Sequence, residues 1–121
     1  MNYFYKLFPV SNVILIVILL VIVILDYITG LVDAYINNNI SSKTGYVGVL
    51  KKLSYFVIVI VSAVISYIID IDIISVTTLW LIVNDIISIL ENIKDIKVPI
   101  PEFLEKIIKK LKVSKESKDN E

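Results

Sequence analysis

The 121-residue sequence contains no cysteine, no histidine and no arginine. Without cysteine and histidine the chain has no disulfides, no thiolate or imidazole metal ligands, and no Ser-His or Cys-His nucleophile. These absences exclude most classes of enzyme, and we predict no catalytic residue, no cofactor and no metal site. The lack of arginine beside many Ile, Asn and Lys residues is typical of AT-rich codon usage, which favours a low-GC bacterial origin.

Apolar segments dominate the sequence: hydrophobic residues make up 57% of the chain, and the mean hydropathy is +0.84. Residues 10–25 and 53–69 carry no charge, and about 20 apolar residues suffice to cross the hydrocarbon of a bilayer. We therefore predict an all-α membrane protein, with the lipid bilayer as its first partner. Its three-helix transmembrane domain would occupy residues 1–97, with spans at about 10–36, 53–70 and 73–95.

The third apolar segment is the weakest, because polar residues such as Asp85 interrupt it. The segment could be a full span, or it could be an interfacial or re-entrant helix. Its polar residues recur at helical spacing and could line water in an assembled ring, or could pack against other helices of the same subunit. This stripe consists of Thr77, Asn84, Ser88, Glu91 and Asp95.

Two prolines, Pro99 and Pro101, end the apolar region, since proline lacks an N–H and pushes the preceding residue into extended geometry. A short cytoplasmic amphipathic helix is predicted after this break, within 98–112. A polar tail at 113–121 is predicted to be disordered. The apolar side of the helix could rest on a membrane surface or on a partner subunit.

Lysine is distributed unevenly about the three spans. Eleven lysines lie between the first two spans or close to and after the end of the third, whereas the other side of the membrane has only Lys6. Positively charged flanks stay in the cytoplasm, so the pattern predicts three spans with the N-terminus outside and the C-terminus cytoplasmic. Two spans would leave the C-terminal lysines outside, unless the third segment were re-entrant.

Acidic residues occur on the first span where it approaches the cytoplasmic side. Asp26 could extend towards the head groups and act as a cap there. Alternatively it could face another helix or a wet lumen and pair with Lys51 or Lys52, which begin the second span. One stripe of the first helix carries Asp26, Gly30, Asp33 and Asn37.

Small residues recur one turn apart on the second span, at Ser62 and Ser66. Such spacing lets membrane helices approach closely and favours a homo-oligomer; the alternative is that serine is merely tolerated in a membrane helix.

The segment 41–52 is interpreted as a turn with a basic exit. Gly45 and Gly48 fit a GxxG loop in spacing alone, and without a surrounding βα pattern we predict no nucleic-acid binding. Ser42 lies beside Lys43, but adjacent residues rarely converge on one substrate atom, so a catalytic Ser-Lys pair is not predicted.

Several short motifs occur in a characteristic order. Asp-x-Ile-Thr-Gly at 26–30 precedes Ser-Ser-Lys-x-Gly-x-x-Gly-x-x-Lys-Lys at 41–52, and Glu-Asn-x-x-x-x-x-Val-Pro-Ile-Pro at 91–101 precedes a basic amphipathic helix. From about residue 13 to residue 112 this order resembles the toxin-secretion and phage-lysis holin family, which includes holin-like proteins encoded beside large clostridial toxins. The family pattern falls on Asp26, Gly30, Ser41, Ser42, Gly45, Gly48, Lys51, Lys52, Pro99 and Pro101.

The resemblance implies a small protein that accumulates in the bacterial cytoplasmic membrane, oligomerises and opens lesions. A phage endolysin or a large toxin would leave the cytoplasm through them. Asp26, Asp33 and the stripe on the third helix are then candidates for a surface that is either buried in the bundle or turned to water. Two other classes stay open: a membrane adaptor or scaffold, and a small ion channel or membrane toxin that exports no protein.

Overall fold

Three helices of membrane length and one further helix make up the described parts of the chain, which are residues 6–37 and 42–119 of a computed structural model. Each of the first three helices contains a stretch long and apolar enough to cross a bilayer. The structure thus confirms the predicted fold class, an all-α membrane protein with three spans and a C-terminal helix. The helices are α1 (Val10–Ile36), α2 (Ser42–Ile69), α3 (Ile73–Asp95) and α4 (Glu102–Asp119).

Helix α1 begins after Pro9, whose carbonyl oxygen accepts a hydrogen bond of 2.9 Å from the Asn12 N–H. No charged residue follows until Asp26, so more than four turns are uninterrupted. The helix ends where the Asn37 N–H donates to the Asp33 carbonyl at 3.0 Å. Its 27 residues extend about 40 Å, so α1 projects beyond a hydrocarbon layer of about 30 Å.

Helix α2 begins at Ser42, about three turns before the start predicted for the second span. The segment 42–52 is therefore the first part of a helix, and its interpretation as a turn is wrong. Gly45 and Gly48 each disfavour a helix by about 1 kcal/mol relative to alanine. No proline accompanies them, and a helix already formed by the apolar residues propagates back at one hydrogen bond per residue.

The turn between α2 and α3 satisfies the free N–H groups at the start of α3. The Ser66 hydroxyl oxygen accepts hydrogen bonds from the backbone N–H groups of Ile73, at 3.0 Å, and Ile74, at 2.9 Å. The Asp72 carboxylate accepts another from the Ser75 N–H, at 3.1 Å. Unpaired backbone donors are costly in or near lipid, so these contacts stabilise the return of the chain into the bilayer.

Helix α3 lies between α1 and α2, which contact each other only over a short stretch. It runs parallel to α1, since the Ser75 hydroxyl donates to Asn12 Oδ1 at 2.6 Å near the start of both helices. The outward faces of the three helices are apolar, as expected of helices that meet lipid. The buried apolar core consists of Leu19, Val23, Val59, Ala63, Ile74, Leu81 and Ile82.

The end of α3 is a Schellman motif with Lys97 in the left-handed region, at a φ of 69°. The Lys97 N–H donates to the Lys94 carbonyl at 3.0 Å, and the Val98 N–H donates to the Ile93 carbonyl at 3.3 Å. Pro99 follows directly and has no N–H with which to continue a helix.

Helix α4 folds back along α3 in the antiparallel direction. Ile108 lines a cavity with Leu90, and Leu111 lines a second cavity with Val83, farther from the turn. The helix continues to Asp119, past the end predicted at residue 112 and into the segment predicted to be disordered. Neither proline nor glycine occurs between 102 and 119, so the local sequence gives no stop signal.

Candidate functional site

Lys52 links two aspartates from different helices in the interior of the bundle. Its ammonium nitrogen Nζ lies 2.5 Å from Asp26 Oδ2 on α1 and 2.7 Å from Asp85 Oδ1 on α3. The Asp26 and Asp85 side chains are 6% and 0% exposed, and the Lys52 side chain is 19% exposed. Each span contributes one member, and we refer to Asp26, Lys52 and Asp85 as the charge cluster.

The charge cluster lies at hydrocarbon depth when the helices cross a bilayer. Asp26 follows the first residue of α1 by 16 positions, and Asp85 follows the first residue of α3 by 12. These separations correspond to about 24 and 18 Å along the helices. An unpaired charge near the middle of a span costs about 2.5–3.5 kcal/mol on insertion scales. Pairing inside the bundle keeps all three charges away from lipid.

Asn92 on α3 extends the charge cluster towards α1. Its side-chain Nδ2 donates to Asp26 Oδ1 at 3.3 Å and to Thr29 Oγ1 at 3.0 Å. Thr29 can accept because its own hydroxyl proton is donated to the Leu25 carbonyl, at 2.9 Å. Both ends of the Asp26 carboxylate are therefore bonded, one to a lysine of α2 and one to an amide of α3.

Tyr55 extends the charge cluster on the α2 side. The Lys52 Nζ lies 4.8 Å from the centroid of the Tyr55 ring, within the range of cation–π attraction. Asn84 of α3 donates from its Nδ2 to the Tyr55 hydroxyl oxygen at 2.9 Å. The network therefore ties α2 to α3 by neutral as well as charged hydrogen bonds.

The charge cluster contains two aspartates and one lysine, which gives it a formal excess of one negative charge. Loss of Lys52 would leave two buried acids without a cation, whereas loss of either acid would leave a balanced pair. The arrangement is suited to holding three helices in one register. In the part of the chain that the structure describes, no three acidic side chains come together closely enough to hold a metal ion.

The residues singled out on α1 have different surroundings. Asp26 is in the charge cluster, whereas Asp33 lies outside it and accepts a 2.5 Å hydrogen bond from the Asn37 amide. A Cβ added to Gly30 would lie 3.6 Å from Asn92 Nδ2, an ordinary van der Waals distance. The structure therefore brings only one of the two predicted acids to the centre of the bundle.

The candidate lysines and serines of α2 separate into buried and exposed positions. Lys52 enters the charge cluster, whereas its neighbour Lys51 is exposed. Ser62 is buried within the bundle of one chain, and Ser66 caps α3. In this structure the small residues of α2 serve contacts inside a single subunit.

The two candidate glycines near the start of α2 have room for a side chain. A Cβ on Gly45 would lie 3.7 Å from the Tyr27 hydroxyl, and one on Gly48 would meet nothing within 4 Å. Ser42 is the first residue of α2, and Ser41 lies outside the described residues. The space around Gly45 and Gly48 therefore does not by itself require glycine at either position.

The stripe predicted on α3 is only partly directed into the bundle. Asn84 bonds to Tyr55, and Ser88 is half-buried. Glu91 is exposed and forms a 2.7 Å ion pair with Lys112 of α4. The stripe therefore runs from the α2 contact round to the α4 contact.

A second polar stripe on α3, one residue further along, was missed by sequence reasoning. Thr78, Asp85 and Asn92 recur every seven residues, and Thr78 and Asp85 are 1% and 0% exposed. The available signal was the combination of this spacing with an acid inside an apolar segment, because such an acid needs a partner. This signal identifies Asp85, which belongs to the charge cluster, and Asn92, which bonds to Asp26.

Comparison with known proteins places the chain among small phage-related membrane proteins. The model of the bacteriophage holin family matches residues 7–113. An uncharacterised protein of Halalkalibacterium halodurans is 37% identical over 106 residues, which cover 82% of this chain and 78% of that protein. An uncharacterised protein of Clostridium perfringens is 37% identical over 99 residues, covering 79% and 73% of the two chains.

A phage protein is also similar to the chain. The probable holin of Bacillus phage phi105 is 35% identical over 85 residues, which cover 69% of this chain and 63% of the phage protein. No solved structure matches the chain.

Proposed function

Because the chain belongs to the bacteriophage holin family, we propose that it oligomerises in the bacterial cytoplasmic membrane and opens lesions through which a soluble protein leaves the cell. The observation that carries this proposal is the family match across residues 7–113. The three helices of membrane length support it, since a holin acts from within the bilayer. The cargo is an endolysin in a phage setting, or a large toxin where the gene lies in a toxin locus.

The charge cluster provides a physical basis for a chain that is inert when dispersed. In a single subunit it directs charged groups of all three spans inward, so that the lipid-facing surface is apolar. When subunits crowd together, they rotate polar faces, including Asn84, Ser88 and Glu91, towards a shared water-filled space. The buried charges would then be hydrated instead of paired, which makes the open arrangement a second accessible state.

We assign the N-terminus to the outside and the C-terminus to the cytoplasm. With three spans, Lys6 lies on one side of the membrane, and the lysines near the α1–α2 connection and on α4 lie on the other. The positive-inside rule supports this orientation. Protease digestion of spheroplasts tests it: a tag at the C-terminus should be protected and a tag at the N-terminus should be cut.

The function is tested by inducing the chain in bacteria with and without a co-expressed cytoplasmic endolysin. Membrane potential, leakage of a small dye and cell lysis are followed together. Lysis that requires the endolysin supports lesion formation. Depolarisation without lysis would instead indicate a small ion channel, and neither response would indicate an adaptor or scaffold.

Two aspartates of α1 provide a matched pair for the same assay. Asp26→Ala removes a member of the charge cluster, whereas Asp33→Ala removes an acid that accepts a hydrogen bond from Asn37 at the end of α1. We expect the first to change the oligomer distribution and the time of lysis, and the second to leave both close to the parent chain. Unchanged values for Asp26→Ala would remove Asp26 from the mechanism.

A further inference from the structure

The apolar face of α4 is wider than the part that α3 covers. Five of its six large apolar residues occupy an arc of about 140° at 100° per residue, and the sixth, Val113, lies outside this arc. One margin of this arc packs on α3 and is half-buried, whereas Phe103 and Ile107 on the other margin are 64% and 48% exposed. The packed margin consists of Leu104, Ile108 and Leu111.

Lysines border the exposed margin of α4. Lys106 and Lys110 lie beside Phe103 and Ile107 on the helix surface and are exposed. Of the acids in the first turn, Glu102 lies on the side away from the apolar arc, whereas Glu105 lies next to the packed margin and lines the cavity with Ile108. The uncovered apolar surface is thus adjacent to positive charge, which is the composition of a helix that binds at a membrane interface.

The position of α4 along α3 conflicts with a lipid environment. Leu111 lies near Val83, which is 12 residues before the end of α3, a distance of about 18 Å. When α3 crosses the bilayer, α4 in this position would place Lys106 and Lys110 beside hydrocarbon. Lysine at that depth is strongly disfavoured, so the docked position is suited to water around α4 and not to lipid.

We propose that in the membrane α4 leaves α3 and binds the anionic lipid surface at the end of the bundle where α3 finishes. A flat interface buries the whole apolar arc, including Phe103 and Ile107, and lets the lysines at its margins reach phosphate groups. The inference rests on α3 being a membrane span and does not require that the protein opens lesions.

The connection between the two helices permits this movement. Lys97 occupies the left-handed region at a φ of 69°, a conformation that is unfavourable for a residue other than glycine. Pro99 and Pro101 prevent the chain from forming one continuous helix across the connection. The contact between α3 and α4 is weak. Its apolar residues are only half-buried, two cavities lie between the helices, and the ion pair between Lys112 and Glu91 is exposed.

Cross-linking in vesicles tests the proposal, and the chain has no cysteine of its own to interfere. The full chain with Leu90→Cys and Ile108→Cys, which line one cavity, is treated with a short bismaleimide. Efficient cross-linking in detergent shows that the variant is folded. On moving from detergent to vesicles of equal phosphatidylcholine and phosphatidylglycerol, we expect cross-linking to fall at least fivefold, since each lysine near an anionic surface contributes about fivefold. Cross-linking in these vesicles as efficient as in detergent would overturn the proposal.

Two additional variants identify the recognising groups. Lys106→Gln with Lys110→Gln should restore cross-linking in the anionic vesicles, whereas Lys6→Gln, outside α4 and preceding α1, should not. Phe103→Cys alone tests a second copy of the chain as the occupant. A strong increase in dimers linked through Cys at that position would place another subunit on this face and overturn the lipid proposal.

Discussion

The substitution Lys52→Met tests whether the charge cluster holds the three spans together. Methionine keeps an unbranched apolar stem but leaves Asp26 and Asp85 without a cation. The two charge-assisted hydrogen bonds that are lost, at 2.5 and 2.7 Å, are worth about 1.5–3 kcal/mol each. Breaking one side of a buried ion pair costs about 3–5 kcal/mol. Because the Lys52 side chain keeps 19% exposure, we expect a loss near the lower end, about 3 kcal/mol.

The free energy of unfolding is measured on the purified chain in mixed micelles by titration with sodium dodecyl sulfate. Trp80, the single tryptophan, lies on α3 and reports its packing. Lys51→Met is the matched control, since it removes the neighbouring lysine, which is exposed. It should leave the free energy of unfolding nearly unchanged. A difference of less than about 1 kcal/mol between the two variants would refute the view that the charge cluster stabilises the bundle.

Two further substitutions use the same titration. Asp85→Asn removes the excess negative charge and leaves Lys52 paired with Asp26, so its loss should be smaller than that of Lys52→Met by at least about 1 kcal/mol; equal losses would contradict the charge balance. Ser66→Ala removes the acceptor for two backbone N–H groups at the start of α3 and should cost about 1–2 kcal/mol. Its control is Ser54→Ala, an exposed position whose hydroxyl bonds only within its own helix; similar losses for the two serines would show that the cap contributes nothing.

The number of spans was accessible from the sequence because it depends on local composition. A long uncharged segment is poorly suited to a water-soluble fold and therefore indicates a membrane span. A proline or a cluster of polar residues ends each of these segments. The bounds of α3 illustrate this: Asp72 caps its first turn, and the Schellman motif at Lys97 precedes Pro99. These signals lie within a few residues of the helix end and need no tertiary contact.

The beginning of α2 and the end of α4 were not accessible in the same way. Gly45 and Gly48 indicate a turn by propensity, and the polar residues after 112 indicate disorder. Propensity is a weak prior, however, and a helix that has already formed extends at little cost through residues that would not start one. Accordingly, α2 is helical from Ser42 onward, and α4 continues to Asp119.

The charge cluster was only half accessible from the sequence. The hydrocarbon environment already demands a partner for Asp26, and Lys51 and Lys52 are the lysines that begin the second span. Choosing between these adjacent lysines requires the rotation of α2 about its axis, because one residue along a helix turns the side chain by about 100°. The same rotation of about 100° separates Asn84, which bonds to Tyr55, from Asp85, which pairs with Lys52.

The sequence by itself therefore determined that this is a three-span membrane protein without cysteine or histidine chemistry, and that its order of motifs matches the holin family. Those properties are sums over residues or patterns along the chain. Only the tertiary structure decided that Lys52 joins Asp26 to Asp85 and that Ser66 caps α3. The reason is that the rotation of each helix is set by its packing against the others, and no local signal specifies it.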